Sequence, residues 1–273
     1  MPVKTILEDF SIPALIDAIE MNAIESCKAW SRWPGMELYE DADMIWTRTD
    51  IPFAVFNNVF RARLSPNGIE AAIETAVARF AERNVPMLWW IGPSPEPENL
   101  ANHLEARGFV HGFEAAGMAV DLVRLADGLS APRHLEIEEV RDLKTLGTWC
   151  AVMAPVYEFP GFALDPWLDM HAAVGLGADR PYRHYIARLE GTPVATASAF
   201  FGAGVAGISN VATLPEFRGQ GIATAVTLAP LLEARRMGYR VGVLFASTAA
   251  IGLYRRLGFR EYCKGNCYAW TNE

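Results

Sequence analysis

The chain has 273 residues, 51% of them hydrophobic and 21% charged, and its 24 basic and 32 acidic side chains give a net charge of −8. This composition excludes a disordered chain, because it can build a core. The acidic balance would repel phosphate backbones, so no nucleic-acid partner is expected. The longest near-continuous apolar run, residues 222–232, is far shorter than the roughly 20 residues of a membrane span. With four irregularly spaced cysteines and no apolar signal core, the sequence predicts a soluble, cytoplasmic protein without a membrane partner.

The middle of the chain contains the weakest structural pattern. Residues 126–133 hold Gly, Ser and Pro without a hydrophobic period, which is typical of a linker. We therefore predict two domains, residues 1–126 and 134–273.

The first half contains a series of elements that recurs in the second half. Asn57-Asn58-Val59 precede a helical pattern over 69–83, an apolar run, a short helix and Gly108-Phe109. Ser209-Asn210-Val211 precede the same series, which closes at Gly258-Phe259. Order and spacing indicate a duplication, with ordinary alternation of strands and helices as the alternative.

The second half alternates strands and helices. Strands are predicted over 135–140, 185–189, 194–201, 206–213 and 241–245, and helices after Asp142, through Met170, over 222–237 and before Gly258. A last reversal of the chain is expected at Gly265-Asn266. These elements predict an α/β fold with a mixed sheet flanked by helices.

A glycine-containing loop between a strand and a helix is the most informative segment. Arg218-Gly219-Gln220-Gly221 lead into the helix that starts near Ile222. The first turn of a helix has N–H groups without intrahelical acceptors, and its dipole favours an anion there. Glycines let a phosphate approach these N–H groups, whereas a P-loop would need a Lys at position 222. A tight turn without a ligand is the alternative.

Two motifs in this half resemble those of the GNAT acetyltransferase superfamily. Arg218-Gly219-Gln220-Gly221-Ile222-Ala223 is similar to its Arg/Gln-x-x-Gly-x-Gly/Ala signature, and residues 250–259 resemble its Ala-x-x-Leu-Tyr-x-x-x-Gly-Phe motif. The resemblance covers roughly residues 135–270. It implies acetyl-coenzyme A as cosubstrate, held between two splayed parallel strands, Gly207–Thr213 and Val241–Ala246, and no metal cofactor. With the duplication, it implies tandem GNAT-like domains around a mixed, mostly antiparallel sheet.

The resemblance assigns coenzyme contacts to main-chain groups. The pantetheine arm would pair with Val211, Ala212 and Thr213, and the pyrophosphate would be held by the N–H groups of Gly219, Gln220, Gly221, Ile222, Ala223 and Thr224. Independently of the resemblance, Arg218 and Thr224 can add donors for a phosphate.

The reaction that the resemblance implies is transfer of an acetyl group to a primary amine, with a proton delivered to the departing sulfur. Tyr254 stands at the position of the family's acid, and a phenol of ordinary pKa about 10 stays protonated at neutral pH. A core tyrosine is the alternative. Many relatives carry a basic carboxylate on the strand before the loop, but residues 207–211 contain none. Asn210 or Ser209 holding a water is one candidate for the base.

Other candidate bases and the acceptor contacts lie in the preceding segment. Glu158, Asp165 and His171 are further candidate bases. The acceptor would be bound by Tyr157, Glu158, Phe159, Phe162 and Trp167, although a hydrophobic patch at a domain interface would have the same composition. The five histidines are scattered and form no ligand spacing, so no metal site is expected.

The first half has lost the chemistry-bearing motifs. Its loop, residues 60–68, keeps a single Gly, and His103-Leu104 stands where the second half has Leu253-Tyr254. We therefore expect residues 1–126 to form a degenerate domain without a coenzyme loop. The whole chain is predicted to be an N-acetyltransferase, monomer or homodimer, that modifies a small amine; a non-catalytic acyl-coenzyme A sensor is the alternative.

Overall fold

The computed structural model describes residues 6–94, 97–126, 131–177 and 179–272, so that residues 127–130 of the predicted linker lie outside it. The helices are α1 (Ile12–Ala29), α2 (Ile69–Glu82), α3 (Leu100–Ala106), α4 (Leu143–Val156), α5 (Leu164–Val174), α6 (Ile222–Arg236) and α7 (Ile251–Arg256). The strands are β1 (Glu37–Glu40), β2 (Ile45–Arg48), β3 (Asn58–Phe60), β4 (Met87–Ile91), β5 (Val110–Asp121), β6 (Leu135–Glu139), β7 (Tyr182–Leu189), β8 (Thr192–Gly202), β9 (Val205–Thr213), β10 (Val241–Ser247) and β11 (Arg260–Trp270). The fold is α/β, with mixed, mostly antiparallel sheet flanked by helices, as predicted. No helix of the described residues is long and apolar enough to cross a membrane.

The chain forms two compact units, each built from two separate segments of the sequence. The larger unit contains residues 1–26 and 116–262, and the smaller unit contains residues 27–115 and 263–273. The predicted boundary at 126–134 therefore differs from the observed division. The reason is strand pairing: the end of β11 pairs with β4, far away in sequence, and so joins the smaller unit.

The larger unit has the strand order β5-β10-β9-β8-β7-β6. The pairs from β6 to β9 are antiparallel, and β9 and β10 are parallel. The turn between β7 and β8 falls at Glu190-Gly191, both with positive φ. Asp142 caps α4 by accepting a hydrogen bond from the Thr145 N–H at 2.8 Å.

The core of the larger unit lies between the sheet and the helices α6 and α7. Ala199, Phe201 and Ile208 of the sheet pack with Leu228 and Leu231 of α6. The first helical turn of α6 is thereby fixed at the end of β9, because Ile222 is buried against the same sheet.

The smaller unit has the strand order β1-β2-β3-β4-β11, in which β3 and β4 are parallel and β11 is antiparallel to β4. Trp89 is fully buried and meets Phe109 edge to face at 5.8 Å. The reversal predicted at Gly265-Asn266 is wrong: both residues lie inside β11, and Asn266 to Trp270 pair with β4. Local turn residues were outweighed by this long-range pairing.

Candidate functional site

The loop between β9 and α6 presents main-chain N–H groups to solvent. The first intrahelical hydrogen bond runs from the Ala225 N–H to the Gly221 carbonyl at 3.1 Å. The N–H groups of residues 222–224 precede this bond and have no acceptor within the helix. Arg218 Nε donates to the Thr213 carbonyl at 3.1 Å, which ties the loop to the end of β9.

The geometry of this loop fits a diphosphate. Gly219 and Gly221 have φ of +78° and +81°, a conformation that favours glycine. A Cβ at Gly219 would meet nothing within 4 Å, so the space above the loop is open. Open space, exposed N–H groups and the positive end of a helix are the features that favour binding of an anion.

Beside this loop, β9 and β10 separate from each other. They pair only at Ala206↔Gly242 and Gly207↔Val243, although β9 continues to Thr213 and β10 to Ser247. The paired ends form the apex of a cleft that opens towards the loop of residues 214–221, which we name the phosphate loop after its expected ligand. This is the splayed parallel pair that the resemblance implies.

A β-bulge interrupts β9 at the cleft. Thr196 pairs with Ala212 and Ser198 with Ser209, so that residues 210 and 211 are left out of the ladder with β8. Asn210 has φ of +52°. The Thr196 hydroxyl donates to the Asn210 carbonyl at 2.9 Å and holds the bulge.

One tyrosine contacts the bulge, and a second one, Tyr254, is close enough to the first to be influenced by it electrostatically. Tyr157, at the end of α4, donates from its hydroxyl to the Val211 carbonyl at 3.1 Å. Burial raises the pKa of Tyr157 to about 12, because the hydroxyl end is enclosed although 45% of the residue is exposed. Burial, with a contribution from Tyr157, raises the pKa of Tyr254 above its ordinary value. Both phenols therefore stay protonated at neutral pH.

A pocket of about 200 Å³ is lined by residues 207–210 of β9, next to the bulge, and by residues of α1 and β10. Helix α1 covers it: Asn22 Nδ2 donates to the carbonyls of Phe200 and Gly202 at 3.2 and 3.0 Å. A Cβ at Gly207 would lie 1.8 Å from Asn22 Oδ1, so only glycine permits this approach. The sequence reasoning missed α1 because no motif connects residues 12–29 with β9.

The predicted acceptor segment is only partly brought to the cleft. Tyr157 contacts it through Val211, whereas Glu158 and Phe162 are exposed at the surface. Trp167 is buried and packs edge to face with Phe159 at 4.8 Å. These two rings contact each other, and a contact with an acceptor remains a prediction for the segment.

The candidate bases occupy different environments. Asp165 is exposed in the first turn of α5, and Glu158 is exposed after α4. His171 is completely buried, and its Nδ1 lies 3.2 Å from His184 Nε2. Burial lowers the pKa of His171 well below its ordinary value, so that its imidazole is neutral and enclosed.

Asn210 is joined to this histidine pair by Ser198. Asn210 Nδ2 donates to Ser198 Oγ at 3.2 Å, and Ser198 Oγ lies 2.8 Å from His184 Nδ1. The sequence showed the two histidines as unrelated, and only the fold places α5 against β7. Among the residues that the structure describes, no group of three or more His, Cys, Asp or Glu side chains is arranged to hold a metal ion.

Comparison with known structures identifies the fold. A GCN5-related N-acetyltransferase from Kribbella flavida matches with a TM-score of 0.72 and 18% identity, covering 93% of this chain and 96% of that chain. A GCN5-related N-acetyltransferase from Sphaerobacter thermophilus matches with a TM-score of 0.63 and 17% identity, covering 95% and 92%. A tandem GNAT protein from the clavulanic acid biosynthesis pathway matches with a TM-score of 0.62 and 16% identity, covering 97% and 95%.

The sequence comparison gives the family of the larger unit. Residues 149–259 match the family model described as Acetyltransferase (GNAT) family, and no curated protein matches the sequence. The family transfers acyl groups from acyl-coenzyme A. The matched residues span α4 to the end of α7 and so include the bulge, the phosphate loop and Tyr254. Residues 149–259 therefore match the GNAT acetyltransferase family, in a chain with the fold of tandem GNAT proteins.

Proposed function

We propose that the protein is an N-acetyltransferase that transfers an acetyl group from acetyl-coenzyme A to a primary amine of a small molecule. The observation that carries this proposal is the separation of β9 from β10 beside an exposed glycine loop at a helix start. A tight turn without a ligand would not require the neighbouring strands to separate.

The chain's own groups suit each part of the coenzyme. The N–H groups of residues 219–224 would bind the pyrophosphate, with Arg218 adding charge at the rim. The main-chain groups of residues 211–213 would pair with the pantetheine arm. When bound, acetyl-coenzyme A supplies an acetyl thioester whose sulfur leaves as a thiolate.

Tyr254 would deliver the proton to that sulfur. Its raised pKa keeps the phenol protonated through the neutral range, so the proton is present when the thiolate forms. Tyr157 is a poorer donor, because its hydroxyl already donates to the Val211 carbonyl. We assign Tyr157 to positioning the bulge and Tyr254 to acid catalysis.

Main-chain groups at the bulge would stabilise the developing negative charge on the carbonyl oxygen. Val211 lies in the part of β9 that is left out of the ladder with β8, and a main-chain N–H of this stretch is the donor that we assign to this role. Asn210, in the same bulge, would contact the acceptor nitrogen.

The smaller unit would have a structural role and would lack a coenzyme site of its own. Residues 60–68 keep one Gly, and α3 carries His103-Leu104 where α7 carries Leu253-Tyr254. Its core is nevertheless complete around Trp89, which supports a structural contribution.

The test is release of coenzyme A thiol from acetyl-coenzyme A with a panel of small primary amines. Amine-dependent release that falls at least tenfold in Tyr254→Phe, with unchanged coenzyme affinity, is the expected result. Coenzyme A binding without release for any amine would contradict catalysis and favour an acyl-coenzyme A sensor.

A further inference from the structure

The pocket under α1 contains no ionisable lining group among the described residues. Its polar lining comes from Asn22 and Ser26 of α1 and from Ser209 and Asn210 of β9. The remaining lining is apolar: Ile19, Ala23, Phe200, Gly207, Ile208, Val243, Leu244 and Phe245. An acceptor placed there would meet amides, hydroxyls and hydrocarbon, with no carboxylate to balance a positive charge.

The titratable groups around this pocket are engaged elsewhere or neutral. Glu25 of α1 accepts a hydrogen bond from the Ala203 N–H at 2.8 Å, in the turn between β8 and β9. The Tyr182 hydroxyl of β7 lies 3.4 Å from Ser209 Oγ. The phenols of Tyr157 and Tyr254 have raised pKa values, and burial lowers the pKa of His184 to about 3, so all three are uncharged near neutral pH.

The buried hydrogen-bond chain behind Asn210 determines which end of its amide is available. Asn210 Nδ2 donates to Ser198 Oγ, which leaves the Ser198 proton for His184 Nδ1. Neutral His184 then carries its proton on Nε2 and donates to His171 Nδ1. With one Nδ2 proton used in this way, Asn210 keeps Oδ1 as the acceptor that we assign to a ligand in the pocket, which Asn210 lines.

We propose that this pocket selects a small amine that is uncharged at neutral pH, of the aromatic-amine class, whose N–H donates to Asn210 Oδ1. This inference rests on the proposed acetyltransferase function and adds the class of acceptor. An ammonium would lose its hydration there without a compensating carboxylate, which disfavours its binding. A weakly basic amine enters as its free base and avoids this cost.

The proton balance of such a transfer closes within the site. The amine nitrogen forms the new bond to the acetyl carbon, the carbon–sulfur bond breaks, and the sulfur leaves with the bonding electron pair. Tyr254 gives its phenol proton to the sulfur, and the proton that the nitrogen loses after the new bond has formed returns to the Tyr254 oxygen, so that the net change is one proton from nitrogen to sulfur. A neutral amine thus needs no strong base to remove a proton before attack, in agreement with the absence of a carboxylate on β9.

The test compares aniline with cyclohexylamine, two six-carbon ring amines of similar size and very different basicity. Thiol release from saturating acetyl-coenzyme A is followed from about pH 6 to 9. We expect kcat/KM for aniline to be independent of pH, and near pH 7 to be larger than kcat/KM for cyclohexylamine. The value for cyclohexylamine should rise about tenfold per pH unit, because its free base forms as the pH rises. A pH-independent kcat/KM for cyclohexylamine that exceeds that for aniline would overturn the inference while leaving acetyl transfer intact.

Variants distinguish an effect of the side chains that line the pocket from a general loss of structure. Asn210→Asp places a carboxylate at the pocket and should shift the preference at least tenfold towards cyclohexylamine. Ser198→Ala frees the amide and should lower kcat/KM for aniline about tenfold with unchanged coenzyme A affinity, whereas Thr227→Ala removes an equally buried hydroxyl, bonded within α6, without this effect. An unchanged amine preference in Asn210→Asp would contradict the inference. No thiol release from either amine, with coenzyme A still bound by calorimetry, would overturn the proposed function itself.

Discussion

Replacing Gly219 by alanine would test the phosphate loop without disturbing the core. Gly219 has φ of +78°, and its added Cβ would meet nothing within 4 Å. The protein alone therefore suffers only backbone strain, about 1 kcal/mol, which lowers Tm by about 2 to 4 °C. The new methyl group projects beside the N–H groups that would bind a diphosphate.

Gly191 offers a matched control for this variant. It has φ of +82°, a Cβ there would also meet nothing within 4 Å, and it lies in the turn between β7 and β8. Gly191→Ala should therefore lose the same stability as Gly219→Ala. The two variants differ only in whether the methyl group lies at the phosphate loop.

Calorimetric titration with coenzyme A would distinguish the two. Displacing the phosphates from one or two N–H donors costs about 1.5 to 3 kcal/mol, so Gly219→Ala should bind coenzyme A at least about tenfold more weakly. Gly191→Ala should bind it as the wild type does. Equal affinity of both variants and the wild type would refute the anion site, and equal weakening would assign the effect to stability.

Three further predictions concern the cleft and the buried pair. In Tyr254→Phe, kcat should fall about 100-fold at saturating substrates with unchanged coenzyme A affinity in calorimetry, and an unchanged kcat would remove the acid role. In Tyr157→Phe, loss of the 3.1 Å bond to the Val211 carbonyl should lower kcat by less than Tyr254→Phe does, and a larger loss would reverse the two assignments. Burial lowers the pKa of His184 from about 6.5 in the unfolded chain to about 3 in the folded protein. The contribution of His184 to the free energy of unfolding is therefore fully present above about pH 6.5, and it decreases as the pH falls below that value, by up to about 1.4 kcal/mol per pH unit. Thermal melts from pH 7 to 5 should show this loss and a shallower one in His184→Asn; parallel slopes would contradict it.

The chemistry-bearing part of the larger unit was predictable from the sequence because its signals are local. The glycine loop, the start of α6 and the strand at 241–247 are each determined by neighbouring residues. The family resemblance then supplied the separation of β9 from β10. The proposed role of Tyr254 rests on a local signal as well, since its motif lies mostly within the short helix α7.

The rest depends on contacts between residues far apart in sequence. The Asn22 amide reaches Gly207 only after α1 joins the larger unit, and glycine at 207 is unremarkable in the sequence itself. His171 and His184 are brought together by the packing of α5 on β7, and their spacing in the sequence does not predict this contact. The pairing of β11 with β4 likewise overrides the turn residues Gly265-Asn266.

A crystal structure with coenzyme A tests the central claim most directly. The account predicts the diphosphate on the N–H groups of residues 219–224 and the thiol end at the bulge, within reach of the Tyr254 hydroxyl. Coenzyme A bound instead at residues 60–68 of the smaller unit, or a cleft between β9 and β10 that stays empty at saturating coenzyme, would contradict it.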